Sequence, residues 1–542
     1  MQQERNRKSI LSGMFLGLAL IGSGGSLQAA TIRVPADQPT IQAGIDAADN
    51  GGTVLVNSGT YWEKINFQGK LITVRSVNGA DKTIIYGSGS GSIVTFNKLE
   101  GPNSVLDGFT IKNGSTNGSG GGIYCNFSWP TITNCTITSN RAYWYGGGIY
   151  CESAGPTITN CTVASNKSSY IGGGIYGKKN SSFTIDNCTI RGNETANSGG
   201  GIYADADSAL TAANCIISGN KSGWYGGGIS ASQSTILNCT IGGNVAVYGG
   251  GVSSGGGNTI QKCTIRGNRA TVAGGGICFE NASPGAVTNC IINGNSAASA
   301  GGGIYCSWSS PKITNCTLGG NTSPHGGGIY AGLNAAPSVL NSILWGDTVN
   351  ELERHDTGSF SIDYSDIQGG WPTGTGNINT NPKFVGGGNY HLTSTSPCID
   401  AATAAGSPAD DIDGSPRPQV AGYDMGADEF VVNKPPVIDI TLNKNSFTTG
   451  QTIIAIVHIT NDGTPDDVTL KVVLDMPDGI RMALLDMARY NVPANADVTL
   501  PPITYTSNGS EAAGNYQVGG RLLETKFGDH LSTDIKPFSF NP

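Results

Sequence analysis

Asp205 and Asp207 stand two residues apart in Tyr203-Ala204-Asp205-Ala206-Asp207. On a strand, that spacing puts both carboxylates on one face about 6 to 7 Å apart, within the range of glycosidase carboxylate pairs. Beside a turn the same two groups are simply solvated, and no histidine or aromatic wall accompanies them in their repeat. Asp411, Asp413 and Asp424 offer oxygens of the kind a structural Ca²⁺ takes, although their spacing does not complete an EF-hand loop and a polar turn explains them equally. The five histidines are His325, His355, His391, His458 and His530, and only His325 falls in the regular part of the chain. A Ser/His/Asp or Cys/His catalytic arrangement is therefore not expected. The sequence gives no other grouping that names a catalytic residue.

Aromatic residues carry the stronger signal. Tyr124, Tyr150, Tyr176 and Tyr203 each follow a Gly-Gly-Gly-Ile segment, and Tyr305 and Tyr330 resume the series. Trp144, Tyr145, Tyr170, Trp224, Tyr225 and Tyr248 stand just before such segments. With each Ile turned inward, each following Tyr points outward, so the rings form an external ladder. Flat rings with a polar edge suit stacking on sugar faces. A ladder that merely clads the sheet exterior is the alternative.

The elements that position these rings are repeats. Gly-Gly-Gly-(Ile/Val) occurs nine times, beginning at Gly120, Gly146, Gly172, Gly199, Gly226, Gly249, Gly274, Gly301 and Gly326. Most copies are followed by Asn-Cys-Thr-Ile and, five residues after the Cys, by another Asn. A period of some 23 to 27 residues is too short to enclose a core alone and must stack on its neighbours. There is no leucine lattice and no 3.6-residue period. Thr131-Ile132-Thr133-Asn134 and Cys135-Thr136-Ile137-Thr138 alternate with period two, and Gly or Asn marks each bend. Each period thus reads as one coil of a parallel β-helix rising about 4.8 Å, with Ile132, Cys135 and Ile137 inward. The expected fold class is all-β: a right-handed parallel β-helix followed by a small immunoglobulin-like β-sandwich.

This pattern resembles the right-handed parallel β-helix repeat family, which includes secreted polysaccharide-active enzymes and bacterial surface proteins. The Thr40–Ala48 stretch, a short amphipathic helix capped by Thr40 and ended near Gly51, is similar to the plug at the N-terminal end of pectin methylesterases. Ser396-Pro397-Cys398-Ile399-Asp400, Asp411 to Pro418 and Asp424 to Phe430 resemble the choice-of-anchor Q segment that ends many exported β-helices. Gly-Gly-Gly-Ile with Ile137-x-x-Asn140 is similar to the passenger repeats of polymorphic outer-membrane proteins. Only about 110 residues follow Phe430, too few for a translocating barrel. The Gly-His-Gly segment of polygalacturonases and the catalytic motifs of pectin methylesterases are missing.

Composition bounds the rest. The net charge is −8, with 13% charged residues and no basic stripe, which argues against nucleic-acid and anionic-membrane partners. Residues 1–30, with Arg5, Arg7 and Lys8 before an apolar run from Ile10 to Ile21 and a small-residue end at Ala29-Ala30, read as a secretory signal. A mature chain without a membrane span, secreted or held on a bacterial surface as a monomer, is expected. Eight of the 13 cysteines, from Cys135 to Cys316, recur once per coil and read as a ladder of buried thiols. Cys125 with Cys151, and Cys278 with Cys306, read as two shorter ladders. Asn140 and its equivalents, and Asn134 and its equivalents, read as ladders that keep the turns in register.

The expected organisation is a cap with first coils at 31–100, regular coils at 101–345, irregular closing coils at 346–432 and the sandwich at 433–542, with Asn433-Lys434-Pro435-Pro436 as linker. The expected function is surface attachment or recognition through polysaccharide or surface glycan, without catalysis and with no cofactor beyond a structural Ca²⁺. A polysaccharide lyase or glycoside hydrolase of the pectin-active type is the alternative.

Overall fold

The computed structural model describes residues 30–280, 284–419, 421–431, 437–444, 446–448, 451–461, 466–477, 481–492, 496–506, 514–524 and 530–540. The signal segment and the linker at 433–436 lie outside the described residues, apart from Ala30.

Residues 31–367 wind into a parallel β-solenoid of about 13 turns. Four sheets run its length. Sheet A has 14 strands, sheet B 13, sheet C 12 and the narrow sheet D 8. One coil shows the plan: Thr131–Thr133 lies in sheet A, Thr136–Thr138 in B, Arg141–Ala142 in D and Ile149–Glu152 in C. Successive coils pair in register, Ile132 with Ile158 and Ile137 with Val163. Strict alternation on such short strands leaves one or two apolar side chains per strand, and stacking turns these into columns. Ile132, Ile137, Ile149 and their equivalents are fully buried in one continuous core.

The bends between strands are set by two different asparagine columns. Asn134, Asn160, Asn187, Asn214 and Asn238 adopt positive φ near 50° and turn the chain between sheets A and B, a conformation Asn tolerates better than most residues. Asn140 and its equivalents behave differently. The Asn166 Oδ1 accepts both the Asn140 backbone N–H and its Nδ2, each at 3.0 Å, while the Asn140 Nδ2 also donates to the Ile111 carbonyl. This pattern repeats coil by coil to Asn321, whose N and Nδ2 donate to Asp347 Oδ1. The ladder neutralises a buried file of backbone groups that would otherwise go unsatisfied.

All 13 cysteines are buried and free. Eight of them, from Cys135 to Cys316, form the expected inward stack, with the Cys135 N–H approaching Cys161 Sγ at 3.4 Å. Cys125 pairs with Cys151, but Cys278 does not stack on Cys306. Cys278 is in register with Tyr305, and Phe279 with Cys306. In Gly-Gly-Gly-Ile-Cys the thiol takes the outward position that Tyr holds elsewhere. A one-residue offset on a strand reverses the face.

The N-terminal end is plugged by the helix Ile41–Ala47. Thr40 caps it and Ile41 and Ile45 enter the core. The C-terminal end is built less regularly. A last coil, Leu352–Arg354, Ser361–Asp363 and Asp366–Ile367, extends the solenoid beyond Trp345. The following chain then doubles back along the A/B corner. Lys262 forms an ion pair with Asp410 at 2.6 Å, Asn289 donates to the Asp410 carbonyl, Asn315 to that of Asp424 and Asn341 to that of Thr403. Inside this strap Arg417 and Glu429 form a fully buried ion pair at 2.6 Å.

Residues beyond Val437 form antiparallel sheets around their own core. Nine strands are described there rather than about seven. Ala496–Thr499 and Ile503–Thr506 both pair with Thr452–Asn461. Pro501 and Pro502 stand between them, and prolines cannot donate to a ladder.

Candidate functional site

The aromatic residues gather where sheet D passes into sheet C. The glycine triplet makes this corner. Gly146 has φ 59°, and a Cβ there would lie 2.3 Å from the Ile149 carbonyl oxygen. A Cβ on Gly147 would lie 2.5 Å from the Gly173 oxygen of the next coil. Only glycine lets the coils close so tightly, and the closure brings Tyr143, Trp144 and Tyr145 of one turn beside the outward Tyr column of sheet C.

That column is a stack. Ring centroids are 5.4 Å apart for Tyr124–Tyr150, 5.7 Å for Tyr150–Tyr176 and 5.2 Å for Tyr176–Tyr203. Tyr145 leans over it, 5.0 Å from Tyr176 and nearly parallel. Consequently Tyr150 and Tyr176 are only 3% and 4% exposed. They are outward in direction yet covered, so they do not present the free ring faces expected of them. Tyr124, Tyr145, Tyr203, Tyr225 and Tyr248 are half-buried. The rings open to solvent are Trp144 at 47%, Trp224 at 52%, Tyr170 and Tyr143. Tyr143, edge-on to Trp144 at 4.9 Å, was not among the expected contact residues although it adjoins them in sequence.

Polar groups border these rings. The Tyr150 hydroxyl donates to Glu152 Oε2 at 2.8 Å, and Lys179 Nζ pairs with Glu152 Oε1 at 2.5 Å. Burial alone would raise the Glu152 carboxyl, but the Lys179 ammonium and the Tyr150 hydroxyl outweigh it and hold it below its usual value. Burial, with the Glu152 carboxylate beside it, pushes the Tyr150 hydroxyl above its ordinary range. Lys178 Nζ lies 4.9 Å from the centre of the Tyr145 ring, a cation–π contact.

Between Tyr203 and Tyr305 the column holds Ser230, Ser253 and Cys278 instead. Tyr225 and Tyr248, stacked at 5.4 Å, lie in that stretch. Glu280 lies beside Tyr225 and Cys278, and burial pushes its carboxyl up.

The acidic candidates separate. Asp205 Oδ1 accepts the Ser208 hydroxyl at 2.9 Å, and Asp207 is exposed in the turn that follows. Asp411 Oδ1 accepts the Asp413 and Ser415 N–H groups, and Asp411 Oδ2 accepts that of Glu429. Asp424 accepts the N–H groups of Asp400 and Phe430. Both shape backbone. Asp413 alone of the three turns to another side chain, His391. His325 pairs with Glu353 and His458 with Asp497. The rings of His325, His355, His391 and His458 pair with carboxylates, an amide and a threonine rather than with a serine or cysteine, and among the described residues no helix is long and apolar enough to cross a membrane.

The sequence model described as the right handed beta helix region matches residues 17–227 and 201–367, which is well over half of the chain. The chain belongs to the right-handed β-helix family. No curated protein matches it. Among solved structures, the Dettilon tailspike protein is 11% identical over 88% of this chain and 92% of its own, with a TM-score of 0.34. The alkylpurine DNA glycosylase AlkC of Pseudomonas fluorescens and Spo0M, a sporulation control protein of Bacillus subtilis, are 11% and 13% identical over 20% of this chain, with TM-scores of 0.17 and 0.16. The chain spans about a third of AlkC and half of Spo0M. At these scores the likenesses carry no argument about activity; membership of the family rests on the repeat.

Proposed function

We propose that this β-helix is an exported recognition protein that holds polysaccharide or surface glycan on the corner between sheets D and C, without chemical turnover. The observation that supports it best is the row of solvent-open rings, Trp144, Tyr170 and Trp224, which occupy equivalent positions on that corner. Trp144 and Trp224 are three coils apart, about 14 Å at ordinary strand spacing, which suits an extended chain of sugar rings laid along the solenoid axis. A rigid platform of this kind binds with little ordering cost. The bordering Lys178, Lys179 and Glu152 supply partners for hydroxyl and carboxylate groups. The N-terminal basic and apolar segment supports export to the bacterial surface, and a monomer suffices for such a platform.

The lyase alternative would ask Lys178 or Lys179 to remove a proton. Lys179 is held as an ammonium by its hydrogen bond to Glu152, which raises it further from the neutral form a base requires. The test is retention of the full chain on immobilised pectin, alginate and host glycans, with the eluate assayed for unsaturated uronate and new reducing ends. Retention without product, reduced at least about tenfold by Trp144→Ala with Trp224→Ala, supports the reading; stacking energies near 1 kcal/mol per ring set that scale. Retention unchanged in the double variant, or steady release of product, overturns it.

A further inference from the structure

The strap that doubles back along the solenoid brings together three side chains far apart in sequence. His391 lies on the strand Asn389–Leu392, and Asp413 and Asp428 lie on the loops that follow. His391 Nε2 is 2.6 Å from Asp413 Oδ2 and 3.8 Å from Asp428 Oδ1. The ligating atoms of all three lie within 4.8 Å of one another.

Two further observations give this cluster a direction. Asn389 Oδ1 accepts the backbone N–H of His391 at 3.0 Å, which identifies that atom as the amide oxygen. The same oxygen contacts His391 Nδ1, so Nδ1 must be the protonated, donating nitrogen. In the neutral ring Nε2 then carries a lone pair. That lone pair faces two carboxylates, and Asp428 is only 7% exposed. One Asp428 oxygen is used by the Leu392 N–H at 2.8 Å, which leaves Oδ1 turned to the imidazole. Three electron-rich atoms converging on one point need a cation between them. In the metal-free protein that cation is the proton between His391 Nε2 and Asp413 Oδ2, which their 2.6 Å contact requires.

We propose that His391 Nε2, Asp413 Oδ2 and Asp428 Oδ1 are the ligands of a first-row divalent metal site, for which Zn²⁺ is the natural probe. One imidazole and two carboxylates is a donor set of the borderline type that Zn²⁺ or Co²⁺ takes and that Ca²⁺, which prefers six or more oxygens, does not. Metal–ligand bonds of about 2.0 to 2.2 Å place ligand atoms roughly 3 to 4 Å apart, so Asp413 must withdraw by a few tenths of an ångström or more. It is half-exposed on a turn and can do so. Asn389 acts as the positioning residue that fixes the tautomer. Water would complete the shell on the side where His391 and Asp413 meet solvent. The bound ion would fasten the strand that carries His391 to the loops that carry the two aspartates.

The experiment uses the full chain stripped with EDTA and dialysed against ZnCl₂, CoCl₂ or CaCl₂, with metal content measured per chain. The expected result is one Zn²⁺ or Co²⁺ per chain, with visible ligand-field bands for Co²⁺. His391→Ala should abolish binding, and Asn389→Ala should weaken it about 10- to 100-fold with all three ligands still present. Asp428→Asn risks misfolding because its carboxylate also holds the Leu392 N–H, so the half-exposed His391 carries the decision. No metal bound at pH 8, Ca²⁺ bound in preference to Zn²⁺, or unchanged binding in His391→Ala would each overturn the assignment.

Discussion

Replacing Asn220 by Ala in the middle of the buried amide ladder should cost about 3 to 6 kcal/mol. The Asn220 Oδ1 accepts the Asn193 backbone N–H and Asn193 Nδ2, both at 3.0 Å, and its Nδ2 donates to the Ile190 carbonyl at 2.9 Å. Truncation removes a partner from four buried groups, the fourth being Asn244 Oδ1, to which the Asn220 Nδ2 donates at 3.0 Å; that oxygen keeps the Asn220 backbone N–H, so the other three dominate the cost. Each unsatisfied buried group costs about 1 to 3 kcal/mol, and partial relaxation trims the sum to the lower half of its range. Asn214→Ala is the matched control, since Asn214 is exposed at φ 54° and donates once, to Asp186 Oδ1 at 2.7 Å. Its loss should cost about 1 to 2 kcal/mol, from the left-handed conformation and two exposed hydrogen bonds, the second accepted from Asn238 Nδ2 at 2.8 Å. Urea unfolding followed by circular dichroism measures both. If Asn220→Ala were no more destabilising than Asn214→Ala, the ladder would not be what holds the coils in register.

Arg417→Ala should destabilise the strap by about 3 to 5 kcal/mol, because it leaves Glu429 buried without its partner; limited proteolysis should then cut between residues 396 and 430 first. The Glu351 carboxyl is pushed up to about 9, chiefly by burial and then by Asp347, so the folded chain keeps a proton that the unfolded chain releases near pH 4.3. Its contribution is fully present below that pH and is lost as pH rises toward 9; Glu351→Gln should flatten this fall in unfolding titrations at pH 6 and 8.5. None of the 13 cysteines should react with a thiol reagent in the native chain, and all should react in denaturant, because each is buried.

The periodic part of this molecule was legible because each coil writes the same rule. Ile132, Cys135 and Ile137 alternate about bends marked by Asn, and their inward positions follow from that spacing. The Thr40-capped helix was readable for the same local reason. What failed depended on contacts between turns. The outward direction of Tyr150 and Tyr176 follows from the alternation, but their covering by Tyr145 depends on how the preceding corner folds over them. Cys278 was misplaced by treating it as equivalent to Cys125, although its position one residue after the Ile already put it in the Tyr column. The meeting of His391 with Asp413 and Asp428 is a product of the returning strap, and no sequence period encodes it.

The strap also bears on how the rod would yield to force. Most coils touch only the coil before and the coil after, so a pull on the N-terminus should peel them one at a time in small steps. The four consecutive coils carrying Lys262, Asn289, Asn315 and Asn341 are each fastened to the returning chain as well. They should let go together, as one long extension at higher tension, which makes this end the mechanically strong end of the molecule.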